Sequence, residues 1–383
     1  GRWSVVGRSP ETPVRSSVNH PATTGAGARQ TLGRATGPRS YRERVTELLL
    51  LLAPSANRVY AGAARELVAA EARVLTGALC TSEVEVASSD LAGVEYLAVS
   101  GEDDLLIDVL SNLSASAALF ERVGDLLRPV QLQRREIYPS DLVTILKYSG
   151  KTNEQWTRLA LGVTAAATAR PERWLDGSLT VLDPMCGRGT TLNLAMSLGY
   201  DVAGVEIDRK DHEAYAAFIK TWMRQHRYKH TVHEGALRTD GRMRGRQLQI
   251  EIAPTKEDFR AGRVQKIDYL CTDTRDLDGL LRARSVDVVV TDAPYGVQHA
   301  AHTEEMARSP LELLNTALPG WVRVLRSGGA VGVSFNRHVA PWEDLAAILS
   351  EHGLELVQDP GYAELRHRVD ASIDRDLIVA RKP

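Results

Sequence analysis

The chain has 383 residues, of which 43 % are hydrophobic and 25 % charged, with a formal net charge of −2. That length and apolar content call for two folded domains plus tails, and the near-neutral charge excludes a polycation that binds nucleic acid over its whole surface. Cys80, Cys186 and Cys271 are far apart and form no Cys-x-x-Cys pair, so neither a disulfide framework nor a metal site is expected and the setting reads as reducing and cytoplasmic.

Residues 1–44 are rich in Gly, Ser, Thr, Pro and Arg and have no apolar periodicity, the composition of a disordered leader. Residues 45–135 read as a small N-terminal α/β domain: an apolar strand at Glu47 to Ala53, a helix from Ala61 to Leu79, the strand-like "SEVEVAS", and a helix-like stretch from Ser111 to Val123. The longest purely apolar run, Leu48 to Ala53, stops at Pro54, far short of the roughly 20 residues of a membrane span. A further helix is expected over "NEQWTRLALGVTAAATA", from Asn153 to Ala169.

Residues 136–383 become regular. Strands "LTVLDP" (179–184), "DVAGVEID" (201–208), "IDYLCTD" (267–273), "VDVVVTD" (286–292) and "GGAVGVSFN" (328–336) alternate with helices ending near Leu198 and Arg227, around Leu311 to Leu325 and from Pro341 to His352. A final strand pair follows, "LELVQDP" and "RDLIVARK", and the segment between the second and third strands reads as irregular and polar. Short apolar strands alternating with helices call for a doubly wound, mostly parallel sheet covered on both faces.

After the first of these strands, "VLDPMCGRGTTLNLA" sets Gly187-x-Gly189 at the start of a helix, where tight turns let a ligand approach the backbone. A dinucleotide fingerprint wants Gly or Ala at position 192, which is Leu192. Asp183 at the strand end would repel a pyrophosphate and suits a ligand carrying positive charge, such as S-adenosylmethionine with its sulfonium and ammonium groups. Glu206 ends the next strand, where an acid accepts from ribose hydroxyls, and Asp273 ends the third, where it could accept from an adenine amine. Taken singly, each acid is equally an ordinary cap or loop residue. Asp183, Pro184, Cys186, Gly187, Gly189, Thr190, Glu206 and Asp273 are the candidate cofactor contacts.

"DPMCGRGT" followed by "DAPY" at the end of the fourth strand resembles the amino-methyltransferases, whose signature there reads Asp/Asn/Ser-Pro-Pro-Tyr/Phe. More closely, "DPMCGRGTTL" with "TDAPYG" is similar to an RNA methylase family that includes the tRNA guanine-N2 methyltransferases. The resemblance implies a seven-stranded Rossmann-like methyltransferase sheet with S-adenosylmethionine as cofactor, and it makes Asp292, Ala293, Pro294 and Tyr295 the catalytic candidates. An exocyclic amine is a poor nucleophile because its lone pair is delocalised into the base, and two acceptors on its N–H groups can pull it out of conjugation. The Asp292 carboxylate and the Ala293 carbonyl supply them, Pro294 holds Ala293 extended, and Tyr295 stacks on the base. Ala293 stands where the family has its first proline. In "KYSGKTNEQW", where related enzymes line the methionine end of the cofactor, Thr152 and Asn153 could bond its carboxylate or could cap a helix.

Between Arg209 and Lys266 there are fourteen Lys or Arg against seven Asp or Glu. This basic insertion, with Arg242, Arg244 and Arg246 at its centre, is either a solvated face or an electrostatic footprint for nucleic acid. Only 88 residues follow Tyr295, enough to finish the sheet, so recognition falls to the insertion and the N-terminal domain, which favours RNA, and by resemblance tRNA, over DNA. His299 and His302 lie just past the motif. The alternatives are an amino-methyltransferase for a DNA base, a protein glutamine or a small metabolite, and a non-catalytic cofactor-binding RNA adaptor.

Overall fold

The computed structural model describes residues 47–55, 58–145, 151–239, 241–294 and 310–383. The expected leader, Tyr295, His299 and His302 lie outside the described residues. Strand β1 (Leu48–Leu52) is followed by α1 (Arg58–Leu79), the hairpin β2 (Glu85–Leu91) and β3 (Val94–Ser100), α2 (Leu106–Ser111), and the hairpin β4 (Ser116–Val123) and β5 (Leu126–Val130). These strands form an antiparallel sheet of order β2-β3-β1-β4-β5. The all-leucine β1 takes the centre because both of its faces are covered: Leu48 and Leu50 join the core under α1, while Leu49 packs with Tyr96 and Ala98 on the other face.

The helix expected over Ser111 to Val123 is not there. Residues Ser116–Val123 form β4, paired between β1 and β5. Ala in "SASAALF" carries helix propensity, but the ladders to β1 and β5 give this segment its backbone partners, and tertiary pairing overrides so weak a preference.

The second part runs through α3 (Asp141–Thr144), α4 (Glu154–Ala166), α5 (Arg173–Asp176), β6 (Thr180–Asp183), α6 (Thr190–Ser197), β7 (Asp201–Glu206) and α7 (Arg209–Gln225). The hairpin β8 (Lys229–Thr239) and β9 (Arg242–Ala253) follows, then α8 (Lys256–Arg260), β10 (Gln265–Cys271) and β11 (Val286–Asp292). The chain ends with α9 (Pro310–Val324), β12 (Leu325–Asn336), α10 (Trp342–Glu351), β13 (Glu355–Leu356), α11 (Pro360–Ala363), β14 (His367–Arg368) and β15 (Asp374–Arg381).

These strands make one mixed sheet of ten, in the order β13-β15-β12-β11-β6-β7-β10-β9-β8 with β14 on β15. The sheet thus has ten strands where seven were expected, with the β8–β9 hairpin at one edge and β14 on β15. The five central strands, β12, β11, β6, β7 and β10, are parallel, and the flanking strands pair antiparallel. The segment read as irregular between β7 and β10 is therefore a long edge hairpin. Its exposed faces carry polar residues, which hid its period in the sequence.

Successive residues of the central strands feed two cores. Val181, Val288 and Val290 pack under α4, α6 and α7, whereas Leu182, Val289 and Val333 pack under α9 and α10. Helix α1 lies against α4, so the N-terminal sheet and the larger sheet share one core and the described residues form one compact unit. No described helix is long and apolar enough to cross a membrane.

Candidate active site

From β6 the chain adds β7 and β10 on one side and then β11 and β12 on the other, and such a reversal opens a crevice at the carboxyl ends of the strands. Asp183 ends β6 and Asp292 ends β11, so the two carboxylates flank that crevice. Asp183 is 3 % exposed and accepts hydrogen bonds from the Met185 amide at 3.1 Å and the Thr291 hydroxyl at 2.8 Å. Burial pushes its carboxyl up to about 6 against those bonds, and the nearby charge of Asp292 adds to the rise.

The Gly turn crosses the top of β7. Gly187 and Gly189 both have positive φ, 51° and 79°, and a Cβ on Gly189 would fall 2.4 Å from the Tyr215 ring, so glycine is required there. The Gly187 amide donates to Glu206 at 2.8 Å, the Asp208 amide donates to it at 2.7 Å, and the Tyr269 hydroxyl donates to the Gly187 carbonyl. Burial raises the Glu206 carboxyl above its usual range. Pro184, Cys186 and Thr190 are buried beneath the turn. The Cys186 amide donates to Val205 at 2.9 Å, and burial drives its thiol well up, the state of an inert packing group.

Asp273 follows β10 but is engaged by its own neighbour: its carboxylate accepts from the Arg275 amide at 2.8 Å and from the Arg275 guanidinium. Burial works against ionisation there, yet the Arg275 bonds hold the carboxyl below its usual range.

Asp292 is held on both oxygens. Ser334 donates to Oδ1 at 2.6 Å and Thr152 donates to Oδ2 at 2.9 Å, with the Arg375 guanidinium 3.8 Å from Oδ2. The Ala293 amide donates to the Ser334 carbonyl at 2.7 Å, which ties the motif to β12, and Pro294 is exposed. Asn153 realises the cap: its Oδ1 accepts from the Trp156 amide at 3.0 Å at the start of α4, and its Nδ2 donates to Ser55 at 3.2 Å. Thr152, beside it, reaches the site.

The arginine cluster reaches the same end of the sheet. Because β9 runs antiparallel to β10 with Arg246 opposite Cys271, Arg246 is level with the carboxyl end of β10 and Arg242 and Arg244 lie past it, all three exposed. Gly245 makes the close crossing possible, since a Cβ there would fall 2.0 Å from the Cys271 carbonyl oxygen. Arg246 also lies 3.9 Å from Glu213.

Reasoning from the sequence missed Ser334, Trp156 and Arg375. A lone polar residue inside the apolar "VGVSFN" was a signal for Ser334; Trp156 and Arg375 come from α4 and β15 and carried none. Among the described residues no group of His, Cys, Asp and Glu is arranged to hold a metal.

Residues 159–338 match the family model described as UPF0020: RMKL-like, methyltransferase domain. No curated protein matches the chain. Among solved structures, a TehB-like SAM-dependent methyltransferase from Corynebacterium glutamicum is 17 % identical, with 54 % of this chain and 80 % of that one covered and a TM-score of 0.31. The 1,6-didemethyltoxoflavin-N1-methyltransferase of Burkholderia thailandensis is 15 % identical over 60 % of this chain and 79 % of that one, with a TM-score of 0.35. TrmN from Thermus thermophilus is 16 % identical over 78 % of this chain and 60 % of that one, also with a TM-score of 0.35.

Proposed function

We propose, from the match of residues 159–338 to the RMKL-like methyltransferase domain, that the protein uses S-adenosylmethionine to methylate an exocyclic amine of a base in RNA, with N2 of a tRNA guanine as the target. The observation that carries the reading is Asp292 itself, a carboxylate at the end of β11, beside the crevice, with each oxygen already fixed by a hydroxyl.

A preset acceptor draws on the amine most strongly as its lone pair leaves the ring, so it stabilises the transition state more than the bound base. Asp292 accepts one amine N–H and the Ala293 carbonyl the other. Pro294 restricts Ala293 to an extended conformation, and Tyr295 stacks on the base. The nitrogen forms its bond to the methyl carbon as the carbon–sulfur bond breaks, the electron pair stays on sulfur, and the amine sheds its proton to Asp292 or solvent.

The residues around the Gly turn fit the cofactor by their charge. A pyrophosphate would meet two carboxylates, Asp183 and Glu206, whereas a sulfonium and an ammonium are attracted by them. Bound there, the cofactor supplies an electrophilic methyl group. Glu206 takes the ribose hydroxyls, Asp273 the adenine amine, Thr152 and Asn153 lie toward the methionine end, and Pro184, Cys186 and Thr190 shape the turn around Gly187 and Gly189. Arg242, Arg244 and Arg246 hold the RNA backbone at the rim, and the N-terminal domain of residues 45–135 adds RNA contacts of its own.

The test is mass analysis of nucleosides from tRNA incubated with the protein and isotopically labelled cofactor. N2-methylguanine is the expected product. Asp292→Ala should lower the rate by about 10² to 10³, the cost of one preorganised hydrogen-bonding group, and Asp292→Asn should retain more activity because its amide keeps an acceptor oxygen. Methyl on a ring carbon, a ribose oxygen, a DNA base, a protein glutamine or a metabolite, or a wild-type rate in Asp292→Ala, would overturn the reading.

A further inference from the structure

Behind Asp292 stands a chain of donors whose direction is set by chemistry. The indole Nε1–H of Trp156 donates to the Ser334 hydroxyl oxygen at 3.1 Å, and the Ser334 hydroxyl donates to Asp292 Oδ1 at 2.6 Å. An indole nitrogen only donates, and a carboxylate only accepts. The single hydroxyl hydrogen of Ser334 therefore has one destination. Its oxygen is occupied by the indole, and its proton goes to the carboxylate, at the short distance of a charge-assisted bond.

The three residues come from three elements that the fold brings into line. Ser334 lies opposite Asp292 in the parallel register of β11 and β12, and Trp156 reaches it from the first turn of α4. Trp156 and Ser334 are 1 % and 2 % exposed. An apolar side chain would be the ordinary occupant of position 334, between the buried Val333 and Phe335; a serine there leaves a polar group in the core, tolerable because both of its bonds are made. The Arg375 guanidinium lies over the Trp156 ring, 5.7 Å from its centroid, and also lies 3.8 Å from Asp292 Oδ2.

We infer that Ser334 and Trp156 are positioning residues for methyl transfer: a two-step relay, indole to hydroxyl to carboxylate, that fixes the rotation of the Asp292 carboxylate at the carboxyl end of β11. The inference rests on the proposed role of Asp292 as the amine's acceptor. Thr152 secures the other oxygen, so the carboxylate is held at both ends and needs no reorganisation when the amine arrives. A merely structural link between α4 and β12 would make the same contacts. It would not change turnover selectively.

Three variants separate the two roles. Ser334→Ala removes the last donor, Trp156→Phe keeps the ring and removes the first, and Ser334→Thr keeps the hydroxyl. Ser334→Ala and Trp156→Phe should lower kcat on the order of 10- to 100-fold, the scale of a misaligned catalytic group, with KM and cofactor affinity unchanged, and Ser334→Thr should restore most of the loss. Independently of turnover, the 15N-indole resonance of Trp156, assigned by its disappearance in Trp156→Phe, should move in Ser334→Ala and also in Asp292→Ala, because linked hydrogen bonds polarise one another. An unmoved resonance in Ser334→Ala, or a wild-type kcat in both Ser334→Ala and Trp156→Phe, overturns the relay. A wild-type protein that transfers no methyl to RNA defeats the functional reading instead, and the resonance still decides whether the relay exists.

Discussion

The hydroxyl of Thr291 donates to the carboxylate of Asp183 at 2.8 Å, joining the last turn of β11 to the end of β6, one residue short of Asp292. The acid proposed to face the cofactor and the acid proposed to face the substrate are thus braced against each other through a side chain 2 % exposed, and the charge of Asp292 adds to the rise of the Asp183 carboxyl.

With Asp183 facing the cofactor as proposed, cofactor binding should depend on pH. Burial holds Asp183 up at about 6, so the group is ionised above that pH and takes a proton below it. A cationic ligand favours the ionised form, and apparent affinity should fall as pH drops from 7 to 5, by about tenfold at one unit below the group's own value. Asp183→Asn should flatten this dependence, and Asp183→Ala should weaken binding by about 1 to 3 kcal/mol. Calorimetry at several pH values decides it; equal affinity at pH 5 and 7 in the wild type would remove Asp183 from the site.

Glu206 already accepts two amides, from Gly187 and Asp208, so its loss should loosen the turn as well as remove the proposed ribose contact. Glu206→Ala should weaken S-adenosylmethionine by about 1 to 3 kcal/mol and lower the melting temperature, whereas Glu206→Gln, which keeps an acceptor, should do less of both. NAD should give no binding heat in the same calorimeter.

The rim arginines and Gly245 can be separated from cofactor binding. Replacing Arg242, Arg244 and Arg246 together should flatten the slope of log RNA affinity against log salt by about 0.7 to 0.9 per lost phosphate contact. Gly245→Ala should act differently, because its Cβ would meet the Cys271 carbonyl oxygen at 2.0 Å and must push the hairpin off β10. It should weaken RNA binding while leaving the salt slope of whatever binding remains near that of the wild type. An unchanged slope in the triple variant would assign these arginines to a solvated hairpin.

Glu71 is a stability probe remote from the crevice. It is fully buried in α1 and accepts from the Ser114 amide and hydroxyl, and burial raises its carboxyl to about 7. The folded state therefore holds this proton more tightly than the unfolded chain does. Its contribution to stability is full below about pH 4.5 and is lost as pH rises through 7, by about 3 kcal/mol at most. Glu71→Gln keeps one acceptor oxygen for Ser114 and cannot ionise, so its stability relative to the wild type should rise between pH 5 and 8 in urea unfolding. A constant difference across that range would contradict the assignment.

What the sequence determined by itself was local. Strands β6, β7, β10, β11 and β12 were legible because each is a short apolar run ending at an acid or a turn residue, and a strand covered on both faces must be apolar along its whole length. Asp183, Glu206 and Asp292 could be named from such strand ends alone, since a parallel sheet delivers all its carboxyl ends to one edge. The tertiary structure decided whatever depends on a partner far along the chain. Ser116–Val123 became a strand because β1 and β5 lie on either side of it, and the polar stretch after α7 became a hairpin because β10 offered an open edge. The surroundings of Asp292 were likewise out of reach. Thr152, Trp156, Ser334 and Arg375 converge from the start of α4, β12 and β15, and residue spacing says nothing about which side chains meet when a sheet folds three distant segments onto one carboxylate.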